Sequence, residues 1–247
     1  ISESGIYTNN QVRELAPAVD GFLVGSSVMA EEDIDLACRQ LIYGHNKVCG
    51  LTKPTQAIAA TNAGAEFGGL IFANKSPRCI SKQQALEITE QAPSLSYVGV
   101  FVNHAIDDVA DLARLLSLSA VQLHGNEDSD YINQLTSKLE SHCQVWKAVA
   151  VEDQVPPLTA AVKHFVLDGK NAGSGEVFSW QMLNESQQDL SACLLAGGLN
   201  QNNIEQALET MAAQDLYGLD INSGVEISPG IKCSEKLNKI FSTIRNY

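Results

Sequence analysis

The expected fold is decided by residues 47–73, "KVCGLTKPTQAIAATNAGAEFGGLIFA". Two short apolar runs, "KVCGLT" and "FGGLIFA", enclose "TQAIAATNAGA", in which apolar residues recur at helical spacing. The runs do not alternate with polar residues, which is typical of parallel strands covered by helices. These residues therefore predict a strand–helix–strand unit.

The same alternation continues towards the C-terminus. The further strand candidates are "YVGVFV", "AVQLHG", "QVWKAVAV", "HFVLD", "ACLLAGGL" and "LYGLDINS", separated by helical patterns such as "SKQQALEITEQA" and "IDDVADLARLLS". Eight strands over about 200 residues, one unit per ~25, match the size of a TIM barrel. A doubly wound open sheet more often has roughly five or six strands and one dominant glycine fingerprint. We therefore predict the α/β class and a TIM (β/α)8 barrel.

The residues before this region contain two further βα-like units. They are "ISESGI" with "NNQVRELAPA", and "GFLVGSSVMA" with "EEDIDLACRQLIYG". Two units cannot close a barrel of their own, so we interpret them as the end of a preceding barrel. The predicted division is 1–46 and 47–247, with a linker at Gly44–Asn46.

Composition excludes several classes of function. A net charge of -13 argues against a nucleic-acid partner, which favours a basic face. Six cysteines without a CxxC pair predict reduced thiols in a cytoplasmic protein, and five histidines without HxH or HExxH spacing predict no metal site. No apolar run reaches the ~18 residues of a membrane span. The first ten residues lack the pattern of a signal peptide and an initiating Met, which suggests a processed chain or a piece of a longer one.

Polar side chains follow several predicted strands, at the end where barrels carry their active sites. They are Cys49, Arg78, His124 and Asp168. Each has a structural alternative: a buried thiol as core filling, a surface arginine, a rim histidine, and a carboxylate that caps the next turn. Lys147 suggests a Schiff base less than an ion pair at the barrel mouth.

Three glycine-rich turns lie where barrels bind phosphate. They are "AGSG" (172–175), "AGGL" (196–199) and "NSG" (222–224). The loops after strands seven and eight of a barrel often hold phosphate through backbone N–H groups. One such turn is a weak signal because glycine also satisfies turn geometry, but three together predict a phosphate site.

Taken in order, these motifs resemble a known family. "KVCGLT", "SPRCI", "VQLHG", "VLD", "GSG", "LAGGL" and "DINSGVEISPGIK" are similar to phosphoribosylanthranilate isomerase of tryptophan biosynthesis. "SESGI" and "GFLVGSS" resemble the last units of indole-3-glycerol-phosphate synthase. Together the chain resembles the C-terminal portion of a fused bifunctional enzyme.

The resemblance implies an Amadori rearrangement of N-(5-phosphoribosyl)anthranilate to 1-(2-carboxyphenylamino)-1-deoxyribulose 5-phosphate. It makes Asp168 the general acid, Cys49 the general base, and Arg78 the ligand of the anthranilate carboxylate, with His124 nearby. Its phosphate-binding residues are Gly173, Ser174, Gly175, Gly197, Gly198, Ser223 and Gly224. No cofactor is implied. The implied partners are a phosphorylated small molecule and the remainder of the synthase domain, with neither nucleic acid nor membrane.

This chemistry sets a requirement on two pKa values. An ordinary aspartate, near about 3.9, is ionised at neutral pH and an ordinary thiol, near about 8.5, is mostly protonated. We therefore expect burial and negative charge to raise the pKa of Asp168, and positive neighbours to lower that of Cys49.

The chain departs from the family pattern at Cys233, Ala172 and Ser179. None of these is a proposed acid, base or arginine. Two other functions stay open. One is a non-catalytic phosphate-binding barrel. The other is indoleglycerol-phosphate synthesis, which we do not expect because the lysine- and glutamate-bearing strands of that site are missing, although Glu3, Ser4, Gly25 and Ser26 resemble parts of it.

Overall fold

Two short βα units precede the barrel in the computed structural model, which describes residues 1–158, 162–169 and 178–247. Their elements, in chain order, are β1 (Ser2–Glu3), α1 (Asn9–Leu15), β2 (Phe22–Leu23), α2 (Ser26–Met29) and α3 (Ile34–Tyr43). β1 and β2 pair in parallel. Thr8 and Gln11 form a capping box at the start of α1, and Asp33 caps α3. The two predicted N-terminal units are therefore present.

The rest of the chain contains a closed barrel of eight parallel strands. Its strands are β3 (His45–Val48), β4 (Phe67–Ile71), β5 (Ser96–Phe101), β6 (Ala120–Leu123), β7 (Gln144–Val151), β8 (His164–Gly169), β9 (Cys193–Leu195) and β10 (Gly218–Ile221). They follow one another around the barrel, and β10 closes it by pairing with β3. The predicted TIM barrel is confirmed.

The predicted linker is wrong in its last two residues. His45 and Asn46 belong to β3 and pair with Gly218 and Leu219 of β10. The polar side chain of Asn46 made it look like a loop residue, but it donates to Tyr43 O and accepts from Leu219 N. Only Gly44, with φ +76°, lies between α3 and the barrel.

Helices cover the outside of the sheet. They are α4 (Pro54–Ala63), α5 (Lys82–Gln91), α6 (Ile106–Leu115), α7 (Ser129–Thr136), α8 (Gln181–Asn184), α9 (Ile204–Ala213) and α10 (Ser234–Asn246). The three helical patterns quoted above correspond to α4, α5 and α6. Ser81 and Gln84 form a capping box that fixes the start of α5. The main core lies between these helices and the strands, where Leu51, Leu70 and Phe241 are almost completely buried.

A small hairpin, which was not predicted, follows the last barrel strand. A 3-10 helix (Ser223–Val225) leads into β11 (Glu226–Ser228), which pairs antiparallel with β12 (Ile231–Lys232). The carbonyl oxygen of Gly230 in its turn accepts hydrogen bonds from Thr52 and Gln56. The hairpin is thus tied to the first barrel unit, beside Cys49.

At the opposite end of the barrel, Arg39 fixes α3 to the loops that enter the sheet. Its buried guanidinium donates to the carbonyl oxygens of Ala65 and Ser94 and pairs with Asp35. These loops lead into β4 and β5, so α3 is held against the N-terminal face of the barrel.

Within the described ranges, no helix combines the length and the apolar character needed to cross a bilayer. The same ranges contain no cluster of three or more His, Cys, Asp or Glu side chains suited to a metal ion. All six cysteines are free thiols.

Candidate active site

A cavity of about 390 Å³ opens at the C-terminal end of the barrel. Its walls come from strand ends and from the loops that follow them. It brings together the predicted site residues Cys49, Arg78, His124, Asp168, Gly197, Gly198 and Ser223. This is the end of a TIM barrel at which active sites occur.

Cys49 follows the last residue of β3, and its N–H donates to Ile221 O, which continues the ladder with β10. The thiol is buried beside Ile71 and Val100 at the cavity wall. Gly50 has φ +72°, and a Cβ there would lie 2.7 Å from Cδ of Arg78. Both the positive φ and the closeness of the Arg78 side chain therefore favour glycine at position 50.

Burial raises the pKa of the Cys49 thiol above its ordinary value, and the positive charge of Lys47 acts against this rise. Lys232 also lowers the pKa of this thiol, whereas Asp220 raises it. The expected positive neighbours are present, but the expected lowering of this pKa is wrong because the effect of burial is larger than theirs. The free thiol is therefore the major form at neutral pH.

Asp168 lies at the end of β8 on the cavity wall. Burial raises the pKa of its carboxyl group to about 6, even though a hydrogen bond from Gly169 N to Oδ1 (2.8 Å) lowers it. The charge of Asp220 adds to the rise. The predicted direction is confirmed, and this carboxyl group can donate a proton near neutral pH.

Arg78 has a partner that its sequence position did not reveal. Its Nε and Nη2 donate to the two carboxylate oxygens of Glu226 at 2.9 and 2.8 Å. Lys232 donates to the same carboxylate at 2.7 Å and to Asn222 Oδ1 at 2.8 Å. The guanidinium group of Arg78, which was expected to bind a substrate carboxylate, thus binds Glu226 on β11. Its Nη1 takes no part in this ion pair.

His124 is a neutral neighbour of the cavity. Burial is the main cause that lowers its pKa, and the charge of Lys47 lowers it further. Its Nδ1 lies 3.3 Å from Nε2 of Gln122. Lys147 pairs with Glu127 at 3.0 Å at the same rim, as the sequence predicted.

Two glycine turns form the part of the cavity that suits phosphate. Gly197 and Gly198 have positive φ values of +86° and +64°, and with Ser223 they line the cavity. A Cβ on Gly224 would lie 1.9 Å from Leu199 O. Gly224 therefore allows the loops after β9 and β10 to touch. Backbone N–H groups in such turns bind anions.

The third turn, Gly173, Ser174 and Gly175, lies outside the described residues, as does Ala172. Cys233, another departure from the family pattern, is the N-cap residue of α10 and makes no capping hydrogen bond with its side chain. Its N–H donates to Val225 O at 2.7 Å.

An ion pair that was not predicted involves Asp220 of the cavity wall. Lys47 of β3 donates to Oδ2 of Asp220 on β10 at 2.7 Å. The signal was a lysine and an aspartate inside apolar strands, since such residues are rarely buried without a partner. Asp220 Oδ1 and Gln122 Oε1 are buried at the cavity and have no hydrogen-bond partner within the described part of the chain.

Comparison with known proteins relates both parts of the chain to described families. Residues 46–243 match the family model "N-(5'phosphoribosyl)anthranilate (PRA) isomerase", and residues 1–41 match "Indole-3-glycerol phosphate synthase". The tryptophan biosynthesis protein TrpCF of Vibrio parahaemolyticus is 48% identical over 252 residues, which cover 100% of this chain and 50% of that protein. The chain spans about half the length of the curated relatives it matches.

Solved structures share the barrel. Phosphoribosyl anthranilate isomerase from Thermus thermophilus is 31% identical with a TM-score of 0.72, covering 82% of this chain and 98% of that one. A phosphoribosyl anthranilate isomerase in complex with reduced 1-(o-carboxyphenylamino)-1-deoxyribulose 5-phosphate is 26% identical with a TM-score of 0.64, covering 82% and 99%.

Proposed function

We propose that this chain, which belongs to the N-(5'-phosphoribosyl)anthranilate isomerase family, converts N-(5-phosphoribosyl)anthranilate to 1-(2-carboxyphenylamino)-1-deoxyribulose 5-phosphate in tryptophan biosynthesis. The observation that carries this proposal is one cavity lined by both a thiol, Cys49, and a carboxyl group, Asp168, with a pKa of about 6. An aldose–ketose rearrangement needs an acid and a base of the protein that both reach the same sugar.

Asp168 acts first, as the general acid. It donates its proton to the ring oxygen of the ribose, the C1–O bond breaks, and the nitrogen lone pair forms a Schiff base at C1. A carboxyl group with an ordinary pKa would be ionised at neutral pH and could not donate. Its burial in the cavity wall supports this role.

Cys49 acts second, as the general base. Its thiolate removes the proton from C2, and the electron pair of that C–H bond forms the C1–C2 double bond of an enolamine. The enolamine then tautomerises to the ketone, so the atoms of substrate and product are the same. Proton transfers alone complete this sequence.

Binding uses the two ends of the cavity. We assign the phosphate to the turns at Gly197, Gly198 and Ser223, which line the cavity. Gly197 and Gly198 have positive φ values, and the backbone N–H groups of such turns can bind anions. We assign the anthranilate carboxylate to Arg78, through the Nη1 group that lies outside the pair with Glu226. His124, which is neutral, lies near the substrate without an assigned proton transfer.

We assign the first part of the chain, residues 1–44, to a synthase-type unit, and residues 45–247 to the isomerase barrel. The match of residues 1–41 to the synthase family supports this division. Several large apolar side chains are exposed on this part, including Tyr7, Leu23 and Met29. We propose that further synthase residues of a longer chain cover them, and that the enzyme works in the cytoplasm.

The proposal is tested by following the loss of substrate fluorescence with wild type and with Cys49→Ser. Loss of the general base is expected to reduce turnover roughly 10²- to 10⁴-fold. Cys193→Ser is the matched control, because Cys193 is also a buried thiol but lies on β9 within the main core. It should retain turnover, although serine in that apolar position lowers stability.

Two results would contradict the assignment. One is the absence of turnover in folded wild-type protein that binds a product analogue, which indicates a non-catalytic phosphate-binding barrel. The other is equal turnover in wild type and Cys49→Ser, which removes the thiol from the mechanism.

A further inference from the structure

The ion pair between Lys47 and Asp220 is almost completely buried. The side chain of Lys47 is 0% exposed and that of Asp220 is 7% exposed, and Nζ lies 2.7 Å from Oδ2. The two residues are also register partners on adjacent strands, β3 and β10. Their contact is therefore fixed by the barrel itself.

The pair lies between the proposed base and the proposed acid. Lys47 is two residues before Cys49, so both side chains project to the same side of the chain. Asp168 lies on β8, which is separated from β10 by β9 alone. Around this part of the barrel, the groups thus follow one another in the order Asp168, Asp220, Lys47 and Cys49.

The influence of the pair on its two neighbours has opposite sign. Lys47 lowers the pKa of Cys49 more than Asp220 raises it. At Asp168 the order is reversed, since Asp220 raises the pKa of that carboxyl group more than Lys47 lowers it. A neutral pair can act this way only as a dipole with one end nearer each group.

A role in stability alone is a poor explanation for this pair. Buried ion pairs are stabilising only when their remaining lone pairs are also hydrogen-bonded. Oδ1 of Asp220, at the cavity, is buried and has no partner in residues 1–158, 162–169 and 178–247. The arrangement keeps an uncompensated acceptor at the site where charge is needed.

We propose that the Lys47–Asp220 pair is a positioning unit of this active site, in which the ammonium stabilises the Cys49 thiolate and the carboxylate keeps Asp168 protonated. This inference rests on the proposed function, because it concerns the acid and the base of that reaction. Neither Lys47 nor Asp220 transfers a proton to or from the substrate. The pair acts through the two residues that do.

Other charged groups also face these two residues. Lys232 on β12 and Arg78 in the loop after β4 act on Cys49, and Glu226 pairs with both of them. At the rim, the Lys147–Glu127 pair and His124 lie further along β6 and β7. All of these stay unchanged in the variants below, so they form a constant background.

The pair predicts a specific pH dependence of kcat/KM. The active form needs Asp168 protonated and Cys49 ionised, although the carboxyl group has the lower pKa of the two. Activity should therefore rise with pH up to a break near 6, set by Asp168, and fall above a second break set by Cys49. The maximum of kcat/KM between the two breaks falls as the two pKa values move apart.

Two neutralising variants separate the ends of the dipole. Lys47→Met should move the upper break to higher pH by about one unit, and Asp220→Asn should move the lower break to lower pH by a similar amount. The substrate phosphate also titrates near about 6, but its pKa is the same for every variant and cannot cause a difference between them. Lys47→Arg keeps the charge and should restore the upper break towards that of wild type.

A direct titration of Cys49 makes the test independent of turnover. Thiolate absorbance is measured against pH in wild type and Lys47→Met, with the spectrum of the matching Cys49→Ser protein subtracted to remove the other thiols. A higher thiol pKa in Lys47→Met supports the proposal even if wild type shows no isomerase activity. The absence of isomerase activity would then contradict the proposed function, but not the role of the ion pair.

The double variant Lys47→Met/Asp220→Asn covers the case in which one unpaired buried charge prevents folding. In this variant each break should move in the same direction as in the single variant that mainly affects it, but by a smaller amount. Unmoved breaks and an unmoved thiol titration in the folded variants would overturn the proposal and leave the pair a structural ion pair.

Discussion

The two ends of the barrel bury polar side chains in different ways. At the N-terminal end, the charged groups of Arg39 and Glu66 have partners on both sides: Arg39 has two backbone carbonyls and Asp35, and Glu66 has Gln40 and His45. At the C-terminal end, Glu226 is likewise paired with Arg78 and Lys232, but Oδ1 of Asp220 and Oε1 of Gln122 are buried with no hydrogen-bond partner among the residues that the structure describes.

This difference separates stability from function within one fold. Paired polar groups at the N-terminal end stabilise the entry to the strands, which is the usual role of that face in TIM barrels. Unpaired and shifted groups at the C-terminal end cost stability and are ready to interact with a ligand. Substitutions at the two ends should therefore move activity and stability in different directions.

The largest expected effect is at Asp168. Asp168→Asn should reduce turnover roughly 10²- to 10⁴-fold because the amide cannot donate the acid proton. The same change should raise the free energy of unfolding at pH 7 by about 2 kcal/mol, since a raised pKa means that ionisation in the folded state is unfavourable. Kinetics and urea unfolding at pH 7 measure both.

The sign follows from the two pKa values. A carboxyl group near 6 in the folded protein and near about 3.9 unfolded contributes fully at low pH and loses that contribution as pH rises through 6. The stabilisation by asparagine should disappear at pH 4. A variant that loses turnover and is also less stable at pH 7 would contradict the contrast between the two ends.

The next effect is at Arg39, on the opposite face. Arg39→Met should lower the free energy of unfolding by about 3 kcal/mol, because the buried carbonyls of Ala65 and Ser94 lose a charged donor. kcat/KM should stay within about twofold of wild type. Arg114→Met is the control, since Arg114 forms exposed ion pairs on the barrel surface that contribute little. Equal losses in both variants would count against this role for Arg39.

The smallest effect concerns His164, which stacks on Tyr217 at a centroid distance of 4.0 Å. Burial lowers its pKa to about 4, whereas an unfolded histidine titrates near about 6.5. Its neutral ring therefore stabilises the fold above pH 6.5, and this contribution is lost as pH falls towards 4. The loss is about 1 kcal/mol per pH unit.

Urea unfolding at several pH values checks this in wild type and His164→Gln. The difference in stability between them should narrow below pH 6.5, while the exposed His142→Gln control follows wild type. A constant difference across this range would mean that protonation of His164 is not linked to unfolding.

The sequence was sufficient for the barrel because the strands are short and apolar and most of them are separated by helical patterns. It did not predict β11 and β12, since the turn at Pro229 and Gly230 looked like part of a loop. It also placed Asn46 in a linker, whereas the hydrogen bonds of its side chain with Tyr43 O and Leu219 N hold it in the first barrel strand. Tertiary partners, which local patterns do not contain, decided both cases.

For the site, the strand-end rule found the thiol, the carboxyl group and the glycine turns. It could not find the pair of Lys47 with Asp220 or that of Arg78 with Glu226, because these partners are 173 and 148 residues apart. Such contacts depend on which strands close the barrel and in which register. Local sequence patterns therefore do not contain these contacts, which are set by the closed sheet.

The contact made by Arg39 has a consequence for where this chain can be divided. A barrel produced from residue 45 onward would begin cleanly at its first strand, yet two carbonyl oxygens at the strand entries would lose their cationic donor. The sequence boundary between the two units, at residue 44, and the first element that stabilises the barrel, α3, are thus about ten residues apart. By sequence, α3 belongs to the synthase-type unit, but its contacts stabilise the barrel. A barrel separated from α3 would therefore need another donor for the carbonyl oxygens of Ala65 and Ser94.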